Sequence, residues 1–292
     1  MGLREAFDSG RFVVTAELRP SCGVNGAGVR EAAARLKGSI DAAVVTDNGG
    51  ATLGLSALAA ATLARREGLP VVLTLSCRDR NRLALQSELL GAAALDVTDV
   101  LCVSGDHPRL GSQPDSRPVF DLDSVQLLQA ARSLMGGQGL GGEPIEPAPA
   151  FHLGAVVNPV AQPATAHLAK LDKKVRAGAS FVVTQAIFDL KPAADVLRAA
   201  RELGLKVLAG VRVLSRADIE GQEGRQAPGP FVPGPVAERI RLGGNGGLDE
   251  GIALAAELVK AVYMLKAADG VHLTGIAGRE EVVPLVLKRA GL

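Results

Sequence analysis

The sequence predicts a closed (β/α)8 barrel of the α/β class, on three observations. Eight short apolar runs of strand type alternate with helical segments along the whole chain. The runs stay apolar residue after residue, as strands of a parallel sheet covered on both faces must. Polar residues and glycines collect directly behind them, at the strand ends where α/β folds bind ligands. Closure also leaves no sheet edge to protect. The open dinucleotide-binding alternative lacks its G-x-G-x-x-G turn after the first strand.

The first strand is RFVVTAELRP (Arg11 to Pro20), with Glu17 near its end. The loop SCGVNG follows, then a helix over Val29 to Gly38 that the glycine closes. DAAVVTDNGG (Asp41 to Gly50) is the second strand and ends in Thr46, Asp47 and a glycine pair. A helix through LSALAAATLARREG leads to the third strand, PVVLTLSCRDR (Pro70 to Arg80). Asn81 to Ala94 reads as a helix, and DVLCVSGD (Asp99 to Asp106) as the fourth strand, stopped at Gly105. After a long loop, Asp123 caps the helix SVQLLQAARSLMGG. The Gly- and Pro-rich GGQGLGGEPIEPAPA reads as a connection, because the strand–helix beat resumes at FHLGAVVNP (Phe151 to Pro159). A helix over Ala164 to Ala177 and the sixth strand, SFVVTQAIFD (Ser180 to Asp189), come next. Pro192 opens a helix to Leu203, and LKVLAGVRVL (Leu205 to Leu214) is the seventh strand. Helices over Val236 to Leu242 and Asp249 to Ala268 precede the eighth strand, GVHLTGIAG (Gly270 to Gly278), and Glu280 to Ala290 closes the chain. The expectation is one barrel domain over residues 1–292, with long loops at about 107–122, 136–150 and 220–235.

Composition narrows the function classes. Hydrophobic residues are 47 % and aromatics 3 %, so Val, Leu and Ala must fill the core. With 32 basic and 31 acidic residues and no long block of either sign, a nucleic-acid groove or polybasic membrane patch is not expected. The three cysteines, Cys22, Cys77 and Cys102, are widely spaced and suit a reducing compartment. No apolar run approaches the roughly 18 residues of a membrane span, and the N-terminal stretch has no signal-type apolar centre. A soluble cytoplasmic protein is the expectation. Phosphate-loop, zinc-protease and serine-elbow motifs are all missing.

In a barrel the strand-end residues Glu17, Thr46, Asp47, Asp79, Asp106, Asn158, Gln185 and His272 share one mouth. Asp47 and Asp79 suit either that mouth or the capping of the next helix. Glu17 sits inside an apolar strand, where a charge costs several kcal/mol without a role or a partner. An acid so placed suits proton donation. Gln185 carries both a donor and an acceptor, which suits a heterocycle with alternating polar edges, such as a pterin or flavin. His107 and His272 read as solvated or packed. Cys77, Cys102, Asp106 and His107 match no usual zinc spacing, so no metal site is expected.

Five segments, in order, resemble the signature segments of methylenetetrahydrofolate reductases. They are A-E-L-R-P, V-T-D-N-G-G, T-L-S-C-R-D, V-S-G-D-H-P and A-G-A-S-F-V-V-T-Q-A-I-F-D. The likeness runs roughly from Phe12 to Gly275, and is nearest to the subgroup found beside corrinoid and one-carbon methyl pathways. It implies a flavin-containing barrel that reduces 5,10-methylenetetrahydrofolate to 5-methyltetrahydrofolate, or runs in reverse. The flavin would pass a hydride from NAD(P)H or another donor.

By position, Glu17 matches the family's general acid and Asp106 the aspartate near flavin and pterin. Gln185 matches the folate-contacting glutamine, and Thr46 the threonine near the nicotinamide. Asp47, Gly49, Thr74, Ser104, Gly105, Asp106, Phe120 and Lys174 fall on flavin-contact positions, Lys174 facing a phosphate. Departures accompany them. Thr74 stands where the family has His, Ser104 where it has Arg, and Phe120 where it has Tyr; Ile219 aligns with a second folate-contacting glutamine. FAD is the first expectation and FMN the second. A flavin-free folate-binding or methyl-transfer barrel, or a non-catalytic subunit of a methyl-transfer assembly, stays open, as do a homo-oligomer and a partner subunit.

Overall fold

Eight parallel strands pair in sequence order and close on themselves, β8 returning to β1, in a computed structural model that describes residues 2–24, 26–222 and 232–292. The strands are β1 (Val13–Leu18), β2 (Ala42–Val45), β3 (Val71–Ser76) and β4 (Asp99–Val103), then β5 (His152–Val157), β6 (Phe181–Ile187), β7 (Lys206–Arg212) and β8 (Gly270–Thr274). Helix α1 (Leu3–Asp8) precedes β1. Helices α2 (Ala27–Leu36), α3 (Ala57–Arg66), α4 (Arg82–Ala94), α5 (Ser124–Met135), α6 (Ala164–Arg176) and α7 (Ala194–Glu202) follow β1 to β6 in turn. Among the described residues three helices, α8 (Arg216–Gln222), α9 (Gly234–Leu242) and α10 (Leu248–Met264), lie between β7 and β8, and α11 (Val282–Ala290) follows β8. This is the (β/α)8 barrel that the strand–helix beat predicts. No helix among the described residues is long and apolar enough to cross a membrane.

All eight strands end earlier than the apolar runs suggest, because the polar run-offs leave the sheet. Pairing of β1 with β2 stops at Leu18↔Val45, so Arg19 and the stretch from Thr46 to Gly50 are loop. Those released ends are what builds a mouth.

Strand alternation splits the core in two. On β1, Val14, Ala16 and Leu18 face outward into the large layer between barrel and helices, while Val13 points inward. The inner core is small: beside Val13 it holds Ala42, Val44, Val72, Leu101, Phe181, Val183 and Leu208 from five further strands. Gly154 makes room for the one large ring in it, since a Cβ there would lie 2.2 Å from Phe181 Cζ. Helix α1, which composition alone left unassigned, closes the barrel's N-terminal end with Leu3, Ala6 and Phe7. Their i, i+3, i+4 spacing puts all three on one helical face. Below it, the buried His152 Nδ1 and Asp99 Oδ1 meet at 2.6 Å, and Leu3 N–H donates to Asp99 Oδ2 at 3.3 Å.

The long connections are partly structured. The stretch after β4 begins with a 3-10 turn (Pro108–Leu110), and its Ser112 N–H donates to Ala51 O at 3.1 Å. The loop after α5 folds on itself through a Gln138↔Pro144 bridge. The loop expected over 220–235 is corrected at both edges. Glu220 to Gln222 continue α8, Gly234 and Pro235 open α9, and residues 223–231 lie outside the described residues. Pro235 is tolerated in the first turn because its missing N–H would have had no intrahelical partner.

Candidate active site

The C-terminal ends of the strands enclose a cavity of about 1230 Å³. Glu17, Thr46, Thr74, Asp106, Gln185 and His272 all line it, contributed by β1, β2, β3, β4, β6 and β8 or the residues just past them. A groove of about 1140 Å³ lies outside, between α7 and α10, and no strand-end acid or amide singled out above lines it. The chemistry therefore belongs to the mouth.

Glu17 is half-buried, and its Oε2 accepts the Gly275 N–H at 3.2 Å. Thr46 is the next inward residue on the neighbouring chain end, and its Oγ1 is buried with no partner among the described residues. An unmet hydroxyl in a cavity wall is a place for a ligand's donor or acceptor, since burial without a partner costs roughly 1–3 kcal/mol. Asp106 is exposed at the rim, beyond a turn that only glycine can make: Gly105 has φ +88°, and a Cβ there would sit 2.2 Å from Ser76 Oγ.

Gln185 reaches the cavity through a break in the ladder. The register of β6 against β7 slips between Val183 and Ala186, a bulge of one residue. Thr184 Oγ1 fills the break, accepting the Gly210 N–H at 2.8 Å and donating to Gln185 O at 2.8 Å. Thr184, Gln185 and Ala186 consequently all line the mouth, where strict alternation would offer alternate residues only.

The remaining positions lie elsewhere. Asp47 is buried, and its Oδ2 accepts the Ser76 N–H at 2.9 Å and Arg80 Nη1 at 2.7 Å. Asp79 is paired with Arg78 at 2.6 Å, which together with other contacts holds its carboxyl below the usual range against the opposing effect of burial. Neither aspartate caps a helix; Asn81 caps α4, accepting the Ala84 N–H at 3.0 Å. Asn158 accepts the Val160 N–H at 3.1 Å. Ser104 presents its carbonyl to Ser76 Oγ at 3.4 Å. Phe120 is 39 % exposed beside the His107 ring, with centroids 6.5 Å apart. Lys174 is 8 % exposed, and its Nζ donates to Val156 O at 2.6 Å. Burial, then Lys170, lowers its pKa to about 8. Of the eight flavin-contact positions, Gly49, Thr74 and Asp106 line the cavity, and Asp47, Ser104, Gly105, Phe120 and Lys174 do not.

Ile219 is 3 % exposed in a small apolar cluster with Leu214, Val232, Ala237 and Ile240, so it belongs to packing. Cys77 and Cys102 are buried, and desolvation pushes both thiols up, Cys77 to about 12. Among the described residues no group of three or more His, Cys, Asp or Glu could hold a metal ion.

Sequence reasoning missed a charged cluster beside Glu17, just past the ends of β7 and β8. Arg212 Nη2 and Arg279 Nη2 both donate to Asp218, at 3.3 Å and 2.8 Å, and all three residues line the mouth. A signal was present for Arg212: Leu208, Gly210 and Arg212 alternate, and Leu208 is in the inner core. Its Nε is buried without a partner among the described residues.

His272 is packed, as expected, with Nδ1 3.0 Å from Thr15 Oγ1. Burial lowers its pKa from 6.5 to about 4. The unfolded chain therefore takes up this proton at a higher pH than the folded chain does, and stability falls as pH drops from 6.5 toward about 4. The loss attributable to His272 is about 3 kcal/mol once both values are passed. Thermal melts at descending pH should show a shallower decline in His272→Gln than in the parent. Identical slopes would remove His272 as the cause.

The family model described as methylenetetrahydrofolate reductase matches residues 2–291. No curated protein sequence matches the chain. Among solved structures, a Clostridium thermocellum protein that binds two copies of 5-methyl-5,6,7,8-tetrahydrofolic acid superposes with a TM-score of 0.63 at 14 % identity, over 99 % of this chain and 97 % of that one. A 2,3-dimethylmalate lyase gives 0.55 at 15 % identity, over 99 % of this chain and 86 % of that one. A tryptophan synthase from M. tuberculosis gives 0.53 at 15 % identity, over 98 % and 96 %. At these identities the likeness is one of fold.

Proposed function

The chain belongs to the methylenetetrahydrofolate reductase family, and on that premise we propose that it reduces 5,10-methylenetetrahydrofolate to 5-methyltetrahydrofolate. The observation that carries the reading is the convergence of Glu17, Asp106 and Gln185 on one cavity. Glu17 gives its proton to N10, the bond from N10 to the methylene carbon breaks with its electron pair going to nitrogen, and a 5-iminium cation forms. A hydride to the exocyclic carbon then yields the 5-methyl product. Asp106 and Gln185 hold the pterin's polar edge, the carboxylate accepting from its N–H groups and the amide both donating and accepting. The folate bound by the Clostridium thermocellum protein of the same fold is consistent with this substrate class.

The hydride donor is a reduced nicotinamide or a flavin. The residues present suit a flavin's ring, which Gly49, Thr74 and Asp106 could border, with Thr46 Oγ1 unmet beside them. Neither cation of the family's flavin pattern is free here. The cation of the family pattern is Ser104 here, and the Lys174 ammonium is committed to Val156 O. These two observations favour a second reading, folate chemistry without a bound flavin and with direct transfer from NAD(P)H.

The visible spectrum of the purified protein, followed by turnover, separates the readings. A flavin band that bleaches with NAD(P)H and returns with methylenetetrahydrofolate supports the flavoprotein. Colourless protein that still forms 5-methyltetrahydrofolate from NAD(P)H supports direct transfer. Failure to form product with nicotinamide or flavin donors, in either direction, rejects the reductase reading.

A further inference from the structure

We propose that Arg279 is a positioning residue for Glu17, acting through the turn at Gly275; this rests on the reading of Glu17 as the acid. Gly275 immediately follows β8, and its two backbone groups face two different partners. Its N–H donates to Glu17 Oε2 at 3.2 Å, and its carbonyl accepts Arg279 Nε at 2.7 Å. Among the described residues that N–H makes the one hydrogen bond to the Glu17 carboxylate. The acid's orientation therefore depends on where the turn points its N–H.

The turn is held from several directions. Gly275 has φ +72°, and a Cβ would lie 2.5 Å from Val213 O, so the backbone sits hard against the end of β7. Arg279 Nη2 ties that same end, donating to Val213 O at 3.2 Å and to Asp218 Oδ2 at 2.8 Å. Asp218 is fixed in turn by Ser215, through N–H at 2.8 Å and Oγ at 2.6 Å. One guanidinium thus locks the ends of β7 and β8 together, with the acid hanging from the locked turn. A charged fork with three acceptors is suited to this, because its donors are fixed in one plane.

Arg279 also lines the cavity, so direct contact with an anionic part of the substrate is the competing role. Two measurements on Arg279→Gln, Arg279→Lys, Gly275→Ala, Glu17→Gln and the Glu17→Gln/Arg279→Gln double variant decide between them. In steady-state reduction, Arg279→Gln and Gly275→Ala should each lower kcat by ~10- to 100-fold with KM for the folate little changed, the size of effect a misplaced group produces. Arg279→Lys should recover part of the loss. The double variant should be no slower than Glu17→Gln alone, since both changes remove one function. In 15N-glycine-labelled protein, the Gly275 amide proton, identified by its loss in Gly275→Ala, should move upfield in Glu17→Gln and in Arg279→Gln alike.

An Arg279→Gln protein that keeps kcat, raises KM and leaves the Gly275 amide in place overturns the inference and makes Arg279 a substrate contact. Full kcat with an unmoved amide overturns it as well. If Glu17→Gln is fully active the acid reading fails instead, and the amide resonance still reports whether Arg279 sets the turn against Glu17.

Discussion

Glu17→Gln should lower methylenetetrahydrofolate reduction by ~100- to 10,000-fold, the range that a positioned general acid supplies. The amide oxygen can still accept the Gly275 N–H that Glu17 Oε2 now accepts at 3.2 Å, so the side chain keeps its place and loses only its proton. Folate affinity should stay near that of the parent, because N10 protonation belongs to the reacting state and not to the bound ground state. If NAD(P)H reduces a bound flavin in this protein, that half-reaction should survive, since no folate nitrogen takes part in it. Product formation, folate binding and donor oxidation measured on the same preparation check all three. A normal rate of product formation in Glu17→Gln would end the assignment of the acid.

Gly210→Ala should be among the most damaging small changes in the barrel. A Cβ at Gly210 would lie 2.4 Å from Thr184 O and 2.9 Å from Gln185 O, both backbone atoms that no side-chain rotation can clear. The clash falls on the bulge itself, where the Gly210 N–H meets Thr184 Oγ1 at 2.8 Å. Overpacking against backbone costs typically ~1–3 kcal/mol and sometimes more, and we expect the upper part of that range. The strands must separate or the bulge must move, and either shift carries Gln185 with it. Gly210→Ala should therefore melt several degrees lower and bind folate more weakly. Gly244→Ala is the control, because a Cβ there meets nothing within 4 Å and its φ of −66° suits any residue. Equal melting temperatures for the two variants would show that the bulge yields without cost, and that Gln185 does not depend on it.

Most of the fold was legible because it rests on local pattern. Continuous apolar runs, glycines past helix ends and Asp123 capping α5 are properties of neighbouring residues, and Asp123 does accept the Val125 and Gln126 N–H groups at 2.9 Å each. Helix α1 is not legible in the sequence because its burying face is three residues, Leu3, Ala6 and Phe7, within a charged stretch. That face is worth burying only once a barrel end exists to receive it. Helix α8 is similar: Arg216–Gln222 has a polar sequence, and Ile219 draws it onto the small cluster with Leu214 and Ile240.

The candidate site divides along the same line. The sequence alone determined which polar residues stand at strand ends, because an apolar run that stops at Gly or Asp shows where a parallel strand gives out. It thereby placed Glu17, Thr46, Asp106 and Gln185 within reach of one mouth. Only the tertiary structure decided which of those residues face the cavity and which are consumed holding loops together. Asp47 and Thr46 are adjacent in sequence, yet Thr46 Oγ1 is left unmet in the cavity wall while Asp47 is bound to Arg80 and Ser76. The physical reason is parity. Side chains alternate along a strand, so one residue of register, or one bulge as in β6, exchanges the cavity for the outer layer. Pairing of charges then follows from distance across strands, as between Asp218 on α8 and Arg279 beyond β8, which are 61 residues apart in the chain and 2.8 Å apart in the fold.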